Sequence, residues 1–158
     1  MNSKLRTGIG IDAHQFGDSG PLALAGLSWP ETKKLVGHSD GDAAAHAICD
    51  AVLSACQLGD VGSFFGVDKP ETAGISGSEM ITKVRDFVVK KGFAINNVAV
   101  QIIGNAPNIS SRRDEAQSAL SESLGAPVSI SGTTTDSMGF TGRGEGVCAI
   151  ATALVQIP

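Results

Sequence analysis

The sequence predicts an α/β fold: a single-domain, two-layer sandwich whose four-stranded mixed sheet carries its helices mainly on one face. Stretches rich in branched apolar residues, typical of strands, alternate along the chain with stretches of helical periodicity. Four longer strands and three helices fit within 158 residues, a length typical of one domain. No repeat or linker-like composition divides the chain, so we expect one domain over residues 1–158.

The first elements are two strands and a helix. Leu5 to His14 has the apolar pattern of a strand, and Leu22 to Leu27 is expected to form a second, short one. The alanine-rich stretch from Gly41 to about Leu58 predicts a helix that Gly59 terminates, because glycine readily adopts the left-handed backbone found after helices.

A second helix is indicated by Ser76 and Glu79, which have the three-residue spacing of a capping box. Its end is predicted at Lys90–Lys91–Gly92. The apolar residues expected on its buried side are Ile81, Val84 and Val88.

The C-terminal part is predicted to supply three strands and one helix. Asn97 to Ile103 is rich in branched residues, as strands are. An amphipathic helix follows from Arg112 to Leu124 and stops at Gly125. Val128 to Thr133 and Val147 to Ile157 complete the predicted sheet.

Composition excludes several function classes. The net charge of −4 and the pI near 5.2, without a long block of Lys or Arg, argue against a nucleic-acid groove. Cys49, Cys56 and Cys148 follow no metal-binding spacing, and we interpret them as reduced core residues. No targeting segment is visible and no run approaches the roughly 18 apolar residues of a membrane span, so a soluble, cytoplasmic protein is expected.

Two short patterns could form a metal site. Asp12 and His14 are two residues apart on a strand and therefore project from one face. Asp42, His46 and Asp50 form one stripe along the first helix. Asp12, His14 and His46 together supply two imidazoles and a carboxylate, a set suited to catalytic zinc with one open position. The alternative is a hydrogen-bonded histidine at the end of the strand and a satisfied histidine in the core.

The stretch GTTTDSMGFTGRGEG, residues 132–146, has a composition suited to phosphate. It lacks the Gly-Lys-Ser/Thr ending of a P-loop and the glycine spacing of a dinucleotide fold. Its glycines still let backbone N–H groups approach an anion, and Arg143 could bind two phosphate oxygens. Asp136 could hold magnesium against those oxygens. A flexible connection between strands is the alternative interpretation.

Four motifs, D-x-H, HSDGDAAAH, LGDVG and GFTGRGEG, are distributed in this order from residue 12 to residue 146. In type, order and spacing they resemble those of the 2-C-methyl-D-erythritol 2,4-cyclodiphosphate synthases of the non-mevalonate isoprenoid pathway. The resemblance implies an enzyme that closes a ring within 4-diphosphocytidyl-2-C-methyl-D-erythritol 2-phosphate and releases CMP. It also implies zinc on the Asp12, His14 and His46 site, and magnesium or manganese on Asp136.

The resemblance also implies roles for individual residues. His38 and Ser39 match positions that orient the attacking phosphate, and His38 with Thr134 matches those that stabilise the transition state. Asp60 and Gly62 match a ribose-binding turn. Asp42 and Asp50 are expected to act as a helix cap and as support rather than as ligands. The substrate-binding positions implied are Ser39, Asp60, Gly62, Asp68, Gly104, Asn105, Ala106, Pro107, Thr133, Asp136, Phe140 and Arg143, of which 104–107 match the segment that binds cytosine.

A homotrimer with active sites between subunits is a further implication of the resemblance. Four departures affect single positions: Asp136 replaces a common glutamate, Asn108 a common lysine and Ile11 a frequent aromatic residue, and FFGVDKP, residues 64–70, replaces a common FPDTDP. The third departure could reshape a pocket near Phe140. The fourth leaves open whether Asp68 contacts substrate.

Two rival functions remain open at the level of sequence. A zinc phosphohydrolase could use the same three ligands with a metal-bound hydroxide as nucleophile, and it would release orthophosphate. A non-catalytic trimer could bind a diphosphate around a structural zinc. A closed structural site would require a fourth protein ligand, and no cysteine is an obvious candidate.

Overall fold

The computed structural model describes residues 4–66 and 69–158. The strands are β1 (Leu5–Gln15), β2 (Leu22–Leu24), β3 (Leu27–Trp29), β4 (Ala94–Ile103), β5 (Val128–Thr133) and β6 (Gly146–Gln156). The helices are α1 (Ala43–Cys56), α2 (Val61–Phe65), α3 (Gly77–Lys90), α4 (Arg113–Leu124) and α5 (Gly139–Gly142). Short 3₁₀ turns occupy Pro70–Thr72 and Ile109–Arg112.

The main sheet has four strands in the order β1-β6-β4-β5. β6 is antiparallel to both β1 and β4, whereas β4 and β5 are parallel, so the sheet is mixed as predicted. Because β4 and β5 are parallel, the chain must cross over between them, and α4 makes that crossing. The predicted α/β domain with a four-stranded mixed sheet is confirmed.

The three long helices pack on one face of this sheet. α1 lies against β1, β6 and β4, α3 packs against α1 and α4, and α4 packs against β5. Every second residue of β6 from Val147 to Val155 is buried under the helices, as the period of two in a strand requires. On the opposite face the side chains of Ile9 and Ile11 remain 57% and 58% exposed.

Helix α1 approaches β1 unusually closely. A Cβ atom at Gly8 would lie 2.0 Å from the carbonyl oxygen of Ala51, and one at Gly10 would lie 2.0 Å from that of Ala47. Both distances are far below van der Waals contact, so only glycine fits beneath the helix. The alanines of α1 complete the close packing and are buried.

The N-terminus of α1 is capped by Asp42, as its proposed role as a helix cap requires. Its carboxylate accepts the N–H of Ala45 at 3.1 Å and also those of Ala25 and Gly26 at 2.9 and 2.8 Å.

The prediction of one strand over Leu22–Leu27 is wrong. Ala25 and Gly26 have φ of 57° and 72°, which turns this segment into the hairpin β2–β3.

Other helix boundaries differ little from the predictions. Ser76 caps α3 by accepting the N–H of Glu79 at 3.2 Å, and the predicted apolar residues of α3 are buried. Gly125 terminates α4 in the left-handed conformation, as expected. Helix α1 instead stops at Gln57, with φ of 58°, two residues before the predicted Gly59.

Short irregular elements account for the rest of the differences. The sequence patterns did not predict α2 or α5, since helices of five and four residues show no periodicity. Strand β4 begins three residues earlier than predicted and contains a bulge at Asn96. Cys49 and Cys56 are buried as expected, whereas Cys148 is partly exposed. None of the helices in the described ranges combines the length and apolar character required to cross a bilayer.

The packing of α1 on β1 predicts that Gly10→Ala destabilises the protein strongly. The added methyl group would meet backbone atoms that no rotamer change can move, with Ala47 O at 2.0 Å and Ala51 N at 2.6 Å. We expect a loss of about 3 kcal/mol or more in the free energy of unfolding, the upper end for overpacked cores. Denaturant unfolding followed by circular dichroism measures this loss.

Gly17→Ala is the matched control, because a Cβ there would have its closest contact at an ordinary 3.5 Å. Its free energy of unfolding should stay within about 0.5 kcal/mol of the wild type, as for most surface changes. Equal unfolding midpoints for the Gly10 and Gly17 variants would show that α1 does not depend on glycine at position 10.

Candidate metal centre and active site

Asp12, His14 and His46 meet at the junction of β1 and α1. The Oδ2 atom of Asp12 lies 2.8 Å from His14 Nε2 and 3.1 Å from His46 Nδ1, and the two imidazole nitrogens are 3.1 Å apart. One ligand atom from each residue lies within 4.8 Å of the others. The structure therefore brings the three predicted ligands into one partly buried cluster.

The remaining ring nitrogens determine which nitrogen of each imidazole faces the cluster. His14 Nδ1 lies 2.7 Å from the carbonyl oxygen of Val36, which can only accept, so Nδ1 carries the proton. His46 Nε2 lies 2.8 Å from Ser39 Oγ, which can accept the Nε2 proton. When a metal ion is bound, the other nitrogen of each ring would be unprotonated and would face the ion beside Asp12, which is the arrangement that metal-binding histidines require.

The geometry of this cluster fits a small divalent ion. Tetrahedral zinc at about 2.05 Å from each ligand separates neighbouring ligand atoms by about 3.3 Å. The three separations here are 2.8, 3.1 and 3.1 Å, so only small movements are needed to admit such an ion. Three ligands from the protein leave at least one coordination position open.

Electrostatics in the cluster favour a charged carboxylate. Burial opposes ionisation of Asp12, but hydrogen bonds from His14 and His46 outweigh it and hold the pKa of Asp12 well below its ordinary value. The hydrogen bond to Asp12 in turn raises the pKa of His14 above 6.5, against the effect of burial. A metal ion at this cluster would therefore compete with protons for the imidazole nitrogens.

A cavity of about 190 Å³ opens beside the cluster. His38 and Ser39 line it together with His14 and His46, and its apolar wall includes Val61 and Phe65 of α2. His38 is exposed, and its Nε2 lies 3.1 Å from the carbonyl oxygen of Lys69. The two residues predicted to orient a phosphate are thus next to the predicted metal ligands.

The LGDVG turn also reaches this side of the molecule. Asp60 caps α2, since its carboxylate accepts the N–H of Ser63 at 2.7 Å and its own N–H donates to Ser63 Oγ at 3.0 Å. Those bonds lower the pKa of Asp60. Asp50 of α1 accepts the N–H of Val61 at 2.7 Å, consistent with its expected supporting role. Asp60 and Gly62 are both exposed, as residues that bind a sugar must be.

A second pocket, of about 250 Å³, lies at the ends of β4 and β5. Gly104, Asn105 and Pro107 line it opposite Thr133 and Thr134. The N–H of Gly104 donates to the carbonyl oxygen of Thr133 at 3.0 Å, which fixes the two segments together. Ala106 belongs to the same segment but is not among the lining residues. Asn108 caps the 3₁₀ turn through the N–H of Ser110 and also lines the pocket.

The glycine-rich stretch folds back on itself around α5. Asp136 and Ser137 have φ of 51° and 67°, and the Asp136 side chain is exposed. Asn105 Nδ2 donates to the carbonyl oxygen of Gly142 at 2.8 Å, so this stretch is joined to the second pocket. The stretch thus contains a defined turn and a short helix rather than the flexible connection of the alternative interpretation.

Two predicted substrate-binding side chains lie at the far side of this stretch. Arg143 is paired with Glu145 through Nε at 3.0 Å and Nη2 at 3.2 Å, which raises the pKa of Arg143. Phe140 is 43% exposed and lines a third pocket with His14 and Glu145. Ile11 lies on the exposed face of the sheet.

A single chain does not bring all predicted site residues into one cavity. Among the described residues, the pocket of His38 and Ser39 shares no lining residue with the pocket of Gly104 and Thr134. Asp68 lies outside the residues that the structure describes. Sequence reasoning also missed the Val36 carbonyl group that orients His14, because a backbone contact over 22 residues leaves no motif.

The sequence model of the YgbB family matches residues 5–156 of this chain. The chain belongs to the YgbB family. A 2-C-methyl-D-erythritol 2,4-cyclodiphosphate synthase from Cutibacterium acnes is 57% identical over 153 residues, which cover 96% of this chain and 91% of that protein. The family to which the sequence motifs pointed is therefore confirmed.

Solved structures of related synthases also superpose closely on this YgbB family chain. The bifunctional IspDF from Campylobacter jejuni superposes with a TM-score of 0.92 at 30% identity, and the match covers 98% of this chain but 42% of that one. A 2C-methyl-D-erythritol-2,4-cyclodiphosphate synthase in a bound form with CDP superposes with a TM-score of 0.86 at 28% identity, over 96% of this chain and 100% of that one.

The cluster geometry predicts that His46→Ala abolishes stable binding of a divalent metal by this YgbB family protein. Removing one of three ligands leaves a single imidazole and a carboxylate, too few for a catalytic site. Elemental analysis of the purified variant should show less than about a tenth of the metal bound by the wild type, since even loss of a supporting contact costs 10- to 100-fold in affinity.

His38→Ala is the matched control, because His38 is the one histidine of the three in the sequence that lies outside the cluster. It should retain the metal content of the wild type. Undiminished metal in the His46 variant would remove that residue from the site.

Proposed function

We propose that this chain performs the ring closure of its family with the Asp12, His14 and His46 cluster as its zinc site and His38 beside it. The chain is an enzyme of the non-mevalonate isoprenoid pathway that converts 4-diphosphocytidyl-2-C-methyl-D-erythritol 2-phosphate to 2-C-methyl-D-erythritol 2,4-cyclodiphosphate and CMP. An oxygen of the 2-phosphate attacks the β-phosphorus, and the bond from that phosphorus to the bridging oxygen of CMP breaks. The observation that carries the proposal is the adjacency of His38 to the metal cluster in one cavity.

Two metal sites are part of the proposal. Asp12, His14 and His46 would hold zinc, and Asp136 would hold magnesium or manganese from its exposed position after β5. When bound, the two ions would polarise phosphate oxygens and neutralise the charge that spreads over them during transfer. Asp136 is one methylene shorter than glutamate, so water could complete its reach to the ion.

His38 and Ser39 are suited to hold the attacking phosphate. His38 Nε2 is already engaged with the Lys69 carbonyl oxygen at 3.1 Å, so Nδ1 is the ring nitrogen left to meet a phosphate. Ser39 Oγ accepts from His46 Nε2 at 2.8 Å, which directs its own hydroxyl proton elsewhere. Nδ1 of His38 and the hydroxyl proton of Ser39 therefore stay available to the substrate, while a fixed contact orients each side chain.

The glycine-rich stretch would bind the diphosphate. Thr133 and Thr134 are exposed at the end of β5 and offer hydroxyl donors, with Thr134 as the residue that stabilises the transition state. Nε and Nη2 of Arg143 donate to the carboxylate of Glu145, so Nη1 is left to donate to a phosphate oxygen. Phe140 would cover an apolar part of the bound substrate.

The cytidine part of the substrate would occupy the second pocket. Backbone groups of Gly104 to Pro107 would bind cytosine, and the contacts of this segment with Thr133 and Gly142 hold it in place for that role. Asp60 and Gly62 would bind the ribose. Asp68 would add a further substrate contact.

We infer a homotrimer in which neighbouring chains complete each active site. The pockets of His38 and Thr134 are separate in one chain, yet the substrate must touch both groups at once. In addition, the sheet face opposite the helices exposes Leu5, Ile9 and Ile11, an apolar surface suited to burial against a second copy. Residues 1–158 would form one synthase domain in each subunit, and we place the trimer in the cytoplasm.

Cyclisation in oxygen-18 water tests the proposed reaction. The wild-type protein with the cytidyl substrate and magnesium should produce CMP and the cyclic diphosphate, with no label in either product. The reason is that the nucleophile is a phosphate of the substrate, whose effective concentration can reach on the order of 10⁵ M when well oriented. Phosphorus NMR and mass spectrometry measure the products.

His38→Ala provides the comparison within this experiment. It should slow cyclisation by roughly 10²-fold, the scale of one lost transition-state contact, while the metal content stays unchanged. Label in CMP or in a linear bisphosphate made by the wild type would instead support the zinc phosphohydrolase.

Co-expression of two inactive variants tests the shared site. His38→Ala and Asp136→Ala each damage a different part of the proposed site, and differently tagged copies allow mixed trimers to be purified. If each site takes His38 from one chain and Asp136 from the next, every mixed trimer contains one undamaged site. Its activity should then be about one third of the wild-type activity.

The comparison for this experiment is a trimer of one variant alone. Such a trimer contains no undamaged site and should stay inactive. Mixed trimers as inactive as either variant alone would show that His38 and Asp136 of the same chain act together.

A further inference from the structure

The residues proposed to hold the attacking phosphate lie on an irregular segment, residues 37–42, that precedes α1. Hydrogen bonds of a helix or a sheet ladder do not fix a segment of this kind. Other contacts must therefore determine where His38 and Ser39 point. The neighbouring residue Asp40 makes those contacts.

The carboxylate of Asp40 joins the starts of two helices. Its Oδ1 accepts the N–H of Asp42 at 3.0 Å, and its Oδ2 accepts the N–H of Gly77 at 2.8 Å. Asp42 caps α1 and Gly77 is the first residue of α3. The first N–H groups of a helix lack partners within the helix and carry partial positive charge, so a carboxylate suits this position.

Backbone hydrogen bonds extend the same connection on both sides of Asp40. The N–H of Asp40 donates to the carbonyl oxygen of Ile75 at 3.1 Å, and the N–H of Gly74 donates to the carbonyl oxygen of His38 at 3.0 Å. Residues 38–40 are thus fastened to residues 74–77. These bonds hold the segment against the residues at the start of α3.

The starts of α1 and α3 are themselves in close contact. A Cβ atom at Gly77 would lie 2.6 Å from Ala45 Cβ and 2.8 Å from Asp42 Cβ. These distances leave no room for a side chain, so the two helix ends are in a fixed relative position. Asp40 transmits that fixed position to the segment that carries His38 and Ser39.

We propose that Asp40 is a positioning residue that sets the orientation of His38 and Ser39 in the active site. Through Ser39 Oγ, which lies 2.8 Å from His46 Nε2, it also supports the orientation of a metal ligand. This inference rests on the roles proposed above for His38 and Ser39. It differs from a purely structural role, in which Asp40 would only stabilise the ends of α1 and α3.

Asp40→Asn is the principal test because it keeps the shape of the side chain. Both oxygens of Asp40 accept N–H groups, so an amide would place an NH₂ group against one of these donors and break that bond. Asp40→Glu is the second variant, since it keeps the negative charge near the helix ends but moves the carboxylate by one methylene. Both variants should be compared as metal-loaded proteins.

Ser76→Ala is the matched control. Ser76 caps the same end of α3 through the N–H of Glu79, but its side chain has no bond to residues 38–40 among the described contacts. The Ser76→Ala variant removes one hydrogen bond at the start of α3 and keeps the hydrogen bonds that hold residues 38–40. It should therefore lower thermal stability and leave the kinetic constants as in the wild type.

The chain contains three histidines, which makes imidazole nitrogen NMR a direct measure of their orientation and hydrogen bonding. In Asp40→Asn and Asp40→Glu the ring signals of His38 and His46 should shift, those of His14 should shift least, and Ser76→Ala should shift none. We expect kcat to fall by roughly 10- to 10²-fold in both Asp40 variants, the scale of an ångström of misplacement. KM should stay within about threefold of the wild type, because the contacts proposed for the cytidine and the diphosphate do not involve the Asp40 segment.

Either of two results would overturn the inference. The ring signals of His38 and His46 could be unchanged in both Asp40 variants, or kcat could fall no further than in Ser76→Ala at a comparable loss of stability. If the wild-type protein released no CMP, the proposed function would fail, whereas the ring signals would still decide whether Asp40 orients His38 and Ser39.

Discussion

The close approach of α1 to β1 is the constraint on which the active site depends. Gly8 and Gly10 leave the inner face of β1 without side chains just before Asp12, so the backbone of α1 lies directly on the strand. His46 is one residue before Ala47, whose carbonyl oxygen contacts Gly10. A helix one side chain farther away would move His46 Nδ1 out of reach of Asp12, now at 3.1 Å. The same packing that forms the core therefore brings the metal ligands together.

Carboxylates at helix starts organise the loops around this junction. Asp42 is only 1% exposed, and a buried charge of this kind is tolerated because three backbone N–H groups donate to it. Burial raises the pKa of Asp42, and those N–H bonds lower it in part. Asp42 holds the β2–β3 hairpin to α1, while Asp40 holds α3 to the segment before α1. The HSDGD motif thus combines two side chains that we propose face the substrate with two that fix the backbone.

The sequence predicted those parts of the fold and site whose cause is local. Periodicity identified the four long strands and three long helices, and the D-x-H spacing with a helical histidine identified the metal cluster. It missed the β2–β3 hairpin because the turn needs Ala25 in a left-handed conformation, which the distant Asp42 stabilises. The hydrogen bonds that orient His14 and His46, to the Val36 carbonyl oxygen and to Ser39 Oγ, were also missed, since backbone and long-range contacts leave no spacing in the sequence.

The proposed homotrimer rests on two features of the single chain. The metal pocket and the pocket at the ends of β4 and β5 have volumes of about 190 and 250 Å³, each too small for a substrate with a diphosphate, a 2-phosphate and a cytidine. A tethered reaction gains its rate only when both ends of the substrate are held at once. The apolar outer face of the sheet supplies the reason for chains to associate, because exposed isoleucines gain stability when buried. In the proposed homotrimer, the contacts that bury this face would accompany completion of each active site by a neighbouring chain, so association would serve both stability and catalysis.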